Sequence, residues 1–107
     1  MTAPPRTAEQ RSAALAAAMT ARRERSRLRG ALKAREITGA EVIVGAPDNP
    51  LWAGLKVTWL LESLPGVGPV RAHHLLSCLD IAPSRRIQGL GAHQRSALIA
   101  ELRRDGR

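Results

Sequence analysis

The residues with the clearest chemical potential lie at positions 64–72, which read L-P-G-V-G-P-V-R-A. Pro65 and Gly66 are expected to end one helix, and Pro69 suits the first position of the next, where no N–H partner is needed. Gly68 has no Cβ, so the backbone at this position can approach a ligand closely. The string therefore predicts a hairpin between two helices that can bind an anion.

The expected anion is a phosphate of duplex nucleic acid. Val67 is expected to lie in the core between the two helices and to fix the hairpin. The backbone amides of Val67 and Gly68 are expected to face outward at a helix N-terminus, which favours anions, and Arg71 would add a charge beside them. Such a contact carries no sequence information. The alternative is an ordinary corner between helices, in which the glycines serve only the turn.

A second turn is predicted at residues 85–91, between a helix that begins at Pro69 and a last helix over about residues 92–103. Arg85 and Arg86 begin this turn, where they can reach phosphates or the edge of a groove. The alternative interpretation is that both are solvated charges. Two turns between two helices form a helix–two-turns–helix pattern.

A long basic helix is predicted ahead of this pattern. Thr7 followed by Gln10 is a capping-box sequence, and good helix formers continue to about residue 35. Leu28 and Leu32 share one face and are expected to dock on the rest of the protein. The apolar residues of the front half lie about 140° away around the helix, so that this half is expected to project.

The segment between the long helix and the hairpin is less regular. Glycines and prolines limit residues 38–50 to one or two helical turns. The D-N-P sequence that closes this segment predicts a helix over about Leu51–Ser63, with proline at its first position. Trp52 and Trp59 are seven residues apart and are expected on one face of that helix, as core or docking residues.

Charge divides the 107 residues unevenly. The whole chain has 17 Lys and Arg, of which 15 are Arg, against 9 acidic residues, a net charge of +8. Residues 1–36 hold nine basic and three acidic residues, a net charge of +6, whereas residues 37–107 have a net charge of +2. Arg is well suited to phosphate recognition. The length excludes a doubly wound enzyme or a barrel, and the absence of Phe and Tyr disfavours readers of single strands.

Neither a metal, a cofactor nor a membrane is an expected partner. Cys78 is the single cysteine, which excludes an internal disulfide and a Cys-rich zinc site; it is expected to pack as a small hydrophobe in a reducing, cytoplasmic setting. His73 and His74 point about 100° apart on a helix and cannot easily share a metal; the first is expected to be solvated and the second half-buried. No apolar run approaches the roughly 20 residues of a membrane span.

The order of basic helix, short lid, L-P-x-V-G hairpin and A-P-S-R-R-I-x-G-L-G resembles actinobacterial integration host factor over about residues 9–102. The charge distribution and the helical patterns predict an all-α chain, with a basic N-terminal helical arm at 1–36 and a helix–two-turns–helix domain at 37–107. The resemblance implies a nucleoid-associated protein that binds duplex DNA with little sequence preference, bends and compacts it, and assists site-specific recombination, with a recombinase or integrase complex as partner.

Carried over position by position, the resemblance implies DNA contacts from the hairpin and from nearby basic residues. These are Gly66, Val67, Gly68, Arg71, Arg85, Arg86 and Lys56. The family usually has basic residues where Pro69 and Gln88 stand, which predicts a lower affinity and a weaker salt dependence here. The lid, Ile37–Asp48, is more apolar than expected, which disfavours a DNA contact from the lid. The extra Arg residues of the arm are hypothesised to compensate for these departures.

Two other functions compete with this interpretation. A small-subunit ribosomal protein carries a similar helix–two-turns–helix segment, so ribosomal RNA is the alternative partner; its basic extension is C-terminal, however, whereas the arm here is N-terminal. DNA glycosylases also use such hairpins, but the sequence lacks their catalytic N-terminal proline and zinc finger. Asp80 is the only carboxylate near the hairpin and has no polar partner in the pattern. The chain is therefore expected not to be an enzyme. The short core and the lack of a clear apolar patch favour a monomer.

Overall fold

The computed structural model describes residues 7–107, which are helical apart from turns and one isolated backbone bridge. This confirms the all-α prediction. A 3₁₀ turn at Ile87–Gly89 lies within residues 85–91, the segment predicted to form the second turn. In chain order, the helices are α1 (Ala8–Lys33), α2 (Gly39–Gly45), α3 (Pro50–Ala53), α4 (Val57–Glu62), α5 (Pro69–Cys78) and α6 (Ala92–Asp105), with 3₁₀ turns at Ala46–Asp48 and Ile87–Gly89.

Capping boxes begin the first two helices. Thr7 donates its amide to Gln10 Oε1 at 2.8 Å, and the Gln10 amide donates to Thr7 Oγ1 at 3.1 Å. The predicted start of α1 is therefore confirmed. Thr38 and Glu41 repeat the arrangement at α2. Each box satisfies amides that a helix leaves without an internal partner.

The two halves of α1 have different surroundings. Leu28 and Leu32 are 7% and 0% exposed, whereas Leu15 and Met19 are 60% and 42% exposed. Burial of a leucine side chain contributes about 1.5–3 kcal/mol, so the second half is anchored and the first half projects, as predicted. Although α1 has 26 residues, no helix in the described part of the chain is both long and apolar enough to cross a membrane.

The apolar lid is part of the core. Helix α2 packs along α6, and Ala40, Val42 and Ile43 are buried. The apolar character that set this segment apart in the sequence is therefore explained by burial. The other fully buried large side chains of the core include Leu32, Val57, Leu60, Leu61, Leu64, Leu76 and Leu98.

The single helix predicted over residues 51–63 is wrong. Helix α3 begins at Pro50, as expected, with the Asn49 side chain accepting a bond from the Trp52 amide, but it ends after one turn. Gly54 caps it, and Lys56 is extended, with φ −69° and ψ 139°. Helix α4 then begins at the next residue.

A pair of long-range backbone hydrogen bonds causes this break. The amide of Val57 donates to the Arg85 carbonyl oxygen at 3.0 Å, and the amide of Ile87 donates to the Leu55 carbonyl oxygen at 2.9 Å. Both bonds belong to an isolated antiparallel bridge between the start of α4 and the second turn. An uninterrupted helix would use the Leu55 carbonyl and the Val57 amide internally, so the bridge and the predicted helix exclude each other.

The break also separates the two tryptophans, which the sequence had placed on one helical face. Trp52 lies on α3 and packs so closely against Gly45 that a Cβ there would lie 2.8 Å from the indole. Trp59 lies on α4, under Arg29 of α1. Both rings pack at the edge of the core, as expected, but against different neighbours.

The close packing of Gly39 yields a stability prediction. A Cβ at Gly39 would lie 3.1 Å from Leu64 Cδ2 and 3.2 Å from Leu102 Cδ1, and both leucines are buried. We expect G39A to lower the free energy of unfolding by about 1–3 kcal/mol through overpacking. Urea denaturation would measure this change.

Gly30 provides the matched control, because a Cβ there meets nothing within 4 Å and the residue lies inside α1. We expect G30A to raise the free energy of unfolding by about 0.5–1 kcal/mol, the usual helical preference for alanine. Equal stabilities of the two variants would contradict the packing described for Gly39.

Candidate functional site

The hairpin between α4 and α5 has the geometry that its sequence predicted. Gly66 has φ +71°, in the left-handed region that favours glycine. Val67 is 8% exposed and belongs to the core. Gly68 is extended and caps α5, and Pro69 takes the first helical position. Gly66 and Val67 therefore fix the turn, whereas Gly68 and Pro69 start the next helix.

The amides that are free at this hairpin begin one residue later than predicted. The Val67 amide donates to the Leu64 carbonyl oxygen at 3.2 Å, because the turn closes on itself, so the expectation of a free Val67 amide is wrong. The amides of Gly68, Val70 and Arg71 have no hydrogen-bond acceptor within residues 7–107. They lie at the start of a ten-residue helix, whose dipole favours an anion.

The surface beside these amides is open. A Cβ at Gly68 would meet nothing within 4 Å, and its φ of −97° is ordinary. The fold itself therefore does not require glycine at this position. Val70, in the first turn of α5, is 85% exposed. A ligand can therefore approach the backbone at Gly68 closely.

Arg71 lies near the hairpin, but it has an acidic neighbour. Its Nη2 is 3.6 Å from Asp105 Oδ1, while Arg107 Nη1 is 3.2 Å from Asp105 Oδ2. The guanidinium of Arg107 in turn approaches Gly66, with Nη2 3.8 Å from the position of a Cβ. Ion pairs between side chains as exposed as Arg71 contribute at most about 1 kcal/mol. A more strongly bound anion can therefore replace Asp105 as the partner of Arg71.

Arg85 and Arg86 are both exposed at the second turn, and each is oriented by one backbone carbonyl. Arg85 Nη1 donates to the Gly89 carbonyl oxygen at 2.9 Å, and Arg86 Nη1 donates to the Gly54 carbonyl oxygen. A guanidinium has five N–H donors, so most of them stay available. In the described part of the chain, neither side chain forms an ion pair with a carboxylate.

Lys56 and Arg86 lie opposite each other on the backbone bridge and line one groove with Arg25 of α1. This cationic groove has a volume of about 360 Å³ and lies between α1 and the α3–α4 segment. Sequence reasoning did not single out Arg25. The one feature of the sequence that could have indicated Arg25 is its position in a row of basic residues at four-residue spacing, which share one helical face. The groove is lined by Arg25, Pro50, Leu51, Gly54, Leu55, Lys56, Trp59 and Arg86.

The second residue of that row, Arg29, fastens α1 to α4. Its Cζ lies 5.0 Å from the centroid of the Trp59 ring, which is cation–π distance. Its Nε donates to Ser63 Oγ at 3.4 Å, and Ser63 Oγ donates to the Trp59 carbonyl oxygen at 2.7 Å. Arg29 therefore covers the indole beside the groove, and the Ser63 hydroxyl links the Arg29 guanidinium to the Trp59 backbone.

The third residue of the row, Lys33, caps the end of α4. Its Nζ donates to the carbonyl oxygens of Glu62 and Leu64, each at 3.1 Å. A cation at a helix C-terminus satisfies carbonyls that lack a helical partner. Lys33 thereby joins α1 to the first residue of the hairpin string, so that the row of Arg25, Arg29 and Lys33 follows α4 from its start to its end.

Histidine and cysteine do not gather into a site. Residues 7–107 contain no cluster of three or more His, Cys, Asp or Glu side chains that could hold a metal. Cys78 is exposed, with Sγ 3.5 Å from His74 Nε2, and His74 is exposed as well. The predictions of a packed cysteine and a half-buried histidine are therefore wrong, because α5 buries only the face that carries Ala72 and Leu76.

Comparison with known proteins identifies the family. Residues 32–102 match the family described as S13-like H2TH domain. The chain is 46% identical over 102 residues to the integration host factor of Streptomyces coelicolor, covering 95% of each chain. It is 43% identical to that of Mycobacterium tuberculosis, covering 95% of this chain and 97% of the relative. The chain belongs to the integration host factor family.

A solved structure supports membership of the integration host factor family at the level of the fold. The structure of sIHF bound to an 8-bp palindromic DNA matches this chain with a TM-score of 0.75 and 44% sequence identity. The match covers 79% of this chain and 96% of that one. The resemblance read from the sequence is therefore confirmed, and these relatives are named as integration host factors rather than as enzymes.

The hairpin glycines should differ in their effect on stability. We expect G66A to lower the free energy of unfolding by about 1–2 kcal/mol, because the left-handed backbone of Gly66 places a Cβ against a carbonyl oxygen. G68A is the matched control, since a Cβ there is unobstructed. Thermal unfolding followed by circular dichroism would show a lower midpoint for G66A only; equal losses in both would contradict the assigned backbone geometry.

Proposed function

We propose that this chain is an architectural protein that binds duplex DNA with little sequence preference and bends and compacts it. The observation that carries the proposal is the hairpin, where the amides of Gly68, Val70 and Arg71 are unpartnered within the described residues and a Cβ at Gly68 would meet nothing within 4 Å. The sIHF structure bound to DNA, which shares this fold, supports the choice of DNA as the ligand.

The hairpin would bind a phosphate mainly through backbone. Hydrogen bonds from N–H groups to a charged oxygen are stronger than neutral ones, and the N-terminus of α5 adds its dipole. Gly66 and Val67 would act by holding the turn, and Gly68 by letting the phosphate approach. Arg71 would exchange Asp105 for the phosphate. None of these contacts reads a base, which accounts for the weak sequence preference.

A second contact at the second turn would make the duplex bend. Lys56 precedes α4 and the hairpin follows it, so the two places are separated by at least the length of this six-residue helix, about 9 Å. Arg85 and Arg86 would bind phosphates beside Lys56. Where two such contacts do not fall on straight duplex, the DNA must deform. Smooth bending of a short site costs about 1–6 kcal/mol, which a few charge-assisted contacts can offset.

The basic arm would lengthen this contact. We propose residues 1–36 as the arm and 37–107 as the domain that holds both turns. Within the described part of the arm, the first half of α1 projects and exposes Arg22 and Arg23. These charges would compensate for the uncharged residues, Pro69 and Gln88, that stand beside the two turns.

We infer a nucleoid location and a part in site-specific recombination from the same activity. A bent duplex brings separated sites together, which is what a recombinase or integrase complex needs of an accessory protein. We propose that the chain acts as a monomer without catalytic activity. Its exposed large apolar side chains in the described part are distributed over three helices: Leu15, Met19, Val44 and Val70.

Ribosomal RNA is the competing ligand, and titration of the full chain distinguishes it from DNA. We expect tight binding to duplexes of unrelated sequence, weak binding to structured RNA of equal length, and a linear fall of log affinity with log salt, with a slope of about −0.9 per phosphate contacted. Fluorescence transfer between labels at the two duplex ends should rise on binding, because the ends approach. Preference for RNA would contradict the proposal.

G68A tests the hairpin within the same titration. Because a Cβ at Gly68 is tolerated by the fold, we expect a folded variant whose duplex affinity falls about tenfold, the loss of one charge-assisted hydrogen bond. S96A, an exposed substitution on α6, is the control and should bind normally. An unchanged affinity of G68A would mean that the hairpin is only a structural corner.

The arm has a separate test. Deletion of residues 1–24 keeps the buried residues Leu28 and Leu32, so the domain should remain folded. We expect duplex affinity to fall and the salt dependence to become shallower, because the arm's charges release counterions. Fluorescence anisotropy of a labelled duplex, measured from low to moderate salt, would show both effects. Unchanged affinity would contradict a role for the arm.

A further inference from the structure

We propose that the cationic groove between α1 and the α3–α4 segment is a second DNA-backbone site, in which Arg25, Lys56 and Arg86 bind a phosphate and Trp59 contacts the adjoining deoxyribose. The inference rests on the proposed binding of duplex DNA and goes beyond it in adding Arg25 and Trp59 to the interface. It concerns residues that belong to three separate segments of the chain.

The charges of the groove point to an anion. Three cations line one open groove, and in the described part of the chain none of them forms an ion pair with a carboxylate. Like charges brought together without a counterion repel each other. The backbone bridge fixes Lys56 opposite Arg86, and the Gly54 carbonyl holds the Arg86 guanidinium. An anion therefore finds these donors already assembled.

The apolar residues that line the groove indicate that its occupant is larger than a bare phosphate. Leu51, Leu55 and Trp59 line it beside the cations, so an occupant must present apolar surface as well as charge. A deoxyribose next to its phosphate offers both. Arg29 and Ser63 act as positioning residues, because the Arg29 guanidinium covers the indole and the Ser63 hydroxyl links that guanidinium to the backbone carbonyl of Trp59.

The open shape favours a strand of DNA over a small free ligand. Sites for small molecules usually enclose 70–90% of the ligand surface, whereas this groove, lined by two short helices, one side of α1 and the second turn, is partly open to solvent. The row of Arg25, Arg29 and Lys33 continues from the groove along α4 to the hairpin. A DNA strand that runs from the groove to the hairpin therefore follows a row of positively charged side chains.

Trp59 itself provides a local readout. In the W52F variant, Trp59 is the only tryptophan, and we expect a 12-bp duplex to change its emission at the concentrations that saturate binding. In W59F the remaining Trp52 is the control, because it packs near Gly45 and outside the groove; its emission should stay constant. The same solutions report binding through the anisotropy of a label on the duplex.

The contribution of Arg25 to DNA binding is tested by removing its charge. We expect R25Q to reduce the slope of log affinity against log salt measurably, by at most about 0.9, the value for one whole phosphate contact, because Lys56 and Arg86 stay at the same phosphate. R103Q is the matched control, because it removes one exposed arginine from α6, outside the arm and both turns; its slope should equal that of the unaltered chain.

The outcomes separate this inference from the function on which it rests. If the duplex binds but Trp59 emission is constant and R25Q behaves as R103Q, the groove site is wrong while duplex binding stands. If the unaltered chain binds no duplex, both are overturned. A response of Trp59 to inorganic triphosphate but not to the duplex would assign the groove to a small anion and would equally overturn the DNA site.

Discussion

Two backbone hydrogen bonds between the start of α4 and the second turn control the arrangement of the candidate surface. They join Val57 to Arg85 and Ile87 to Leu55, segments about thirty residues apart. The bonds are compatible only with an extended Lys56, so the chain cannot continue as one helix through this point. The consequence is chemical as well as geometric, because the break turns a helical lysine into the neighbour of a guanidinium on another segment.

The basic character of α1 has both structural and functional consequences. Lys33 and Arg29 use their charges internally, one on the carbonyls that end α4 and the other on an indole and a hydroxyl. Arg25, one turn earlier, has no such use in the described part of the chain. Assembling it with Lys56 and Arg86 costs stability through repulsion, a cost that burial of the apolar core offsets and that a bound anion would relieve.

Signals that act within a few residues could be predicted, and those that depend on distant partners could not. The capping box at Thr7 and the hairpin around Gly66 and Gly68 follow from side chains and backbone preferences of adjacent residues. The break before α4 does not, because Gly54 and Lys56 are tolerated in helices and the competing hydrogen bonds come from the second turn. The exposure of His74 and Cys78 on α5 could not be predicted either, since it depends on which face of α5 packs against α4 rather than on residue type.

The two parts of the candidate surface would contribute differently to binding. At the hairpin the donors are backbone amides, Pro69 brings no charge, and Arg71 shares Asp105 with another arginine, so local net charge is low and geometry dominates. At the second turn and groove the donors are side-chain cations that form no ion pair within residues 7–107, and their contribution depends on counterion release. It follows that raising the salt concentration should weaken the groove contact first and leave the hairpin contact, which would reduce bending before it abolished binding.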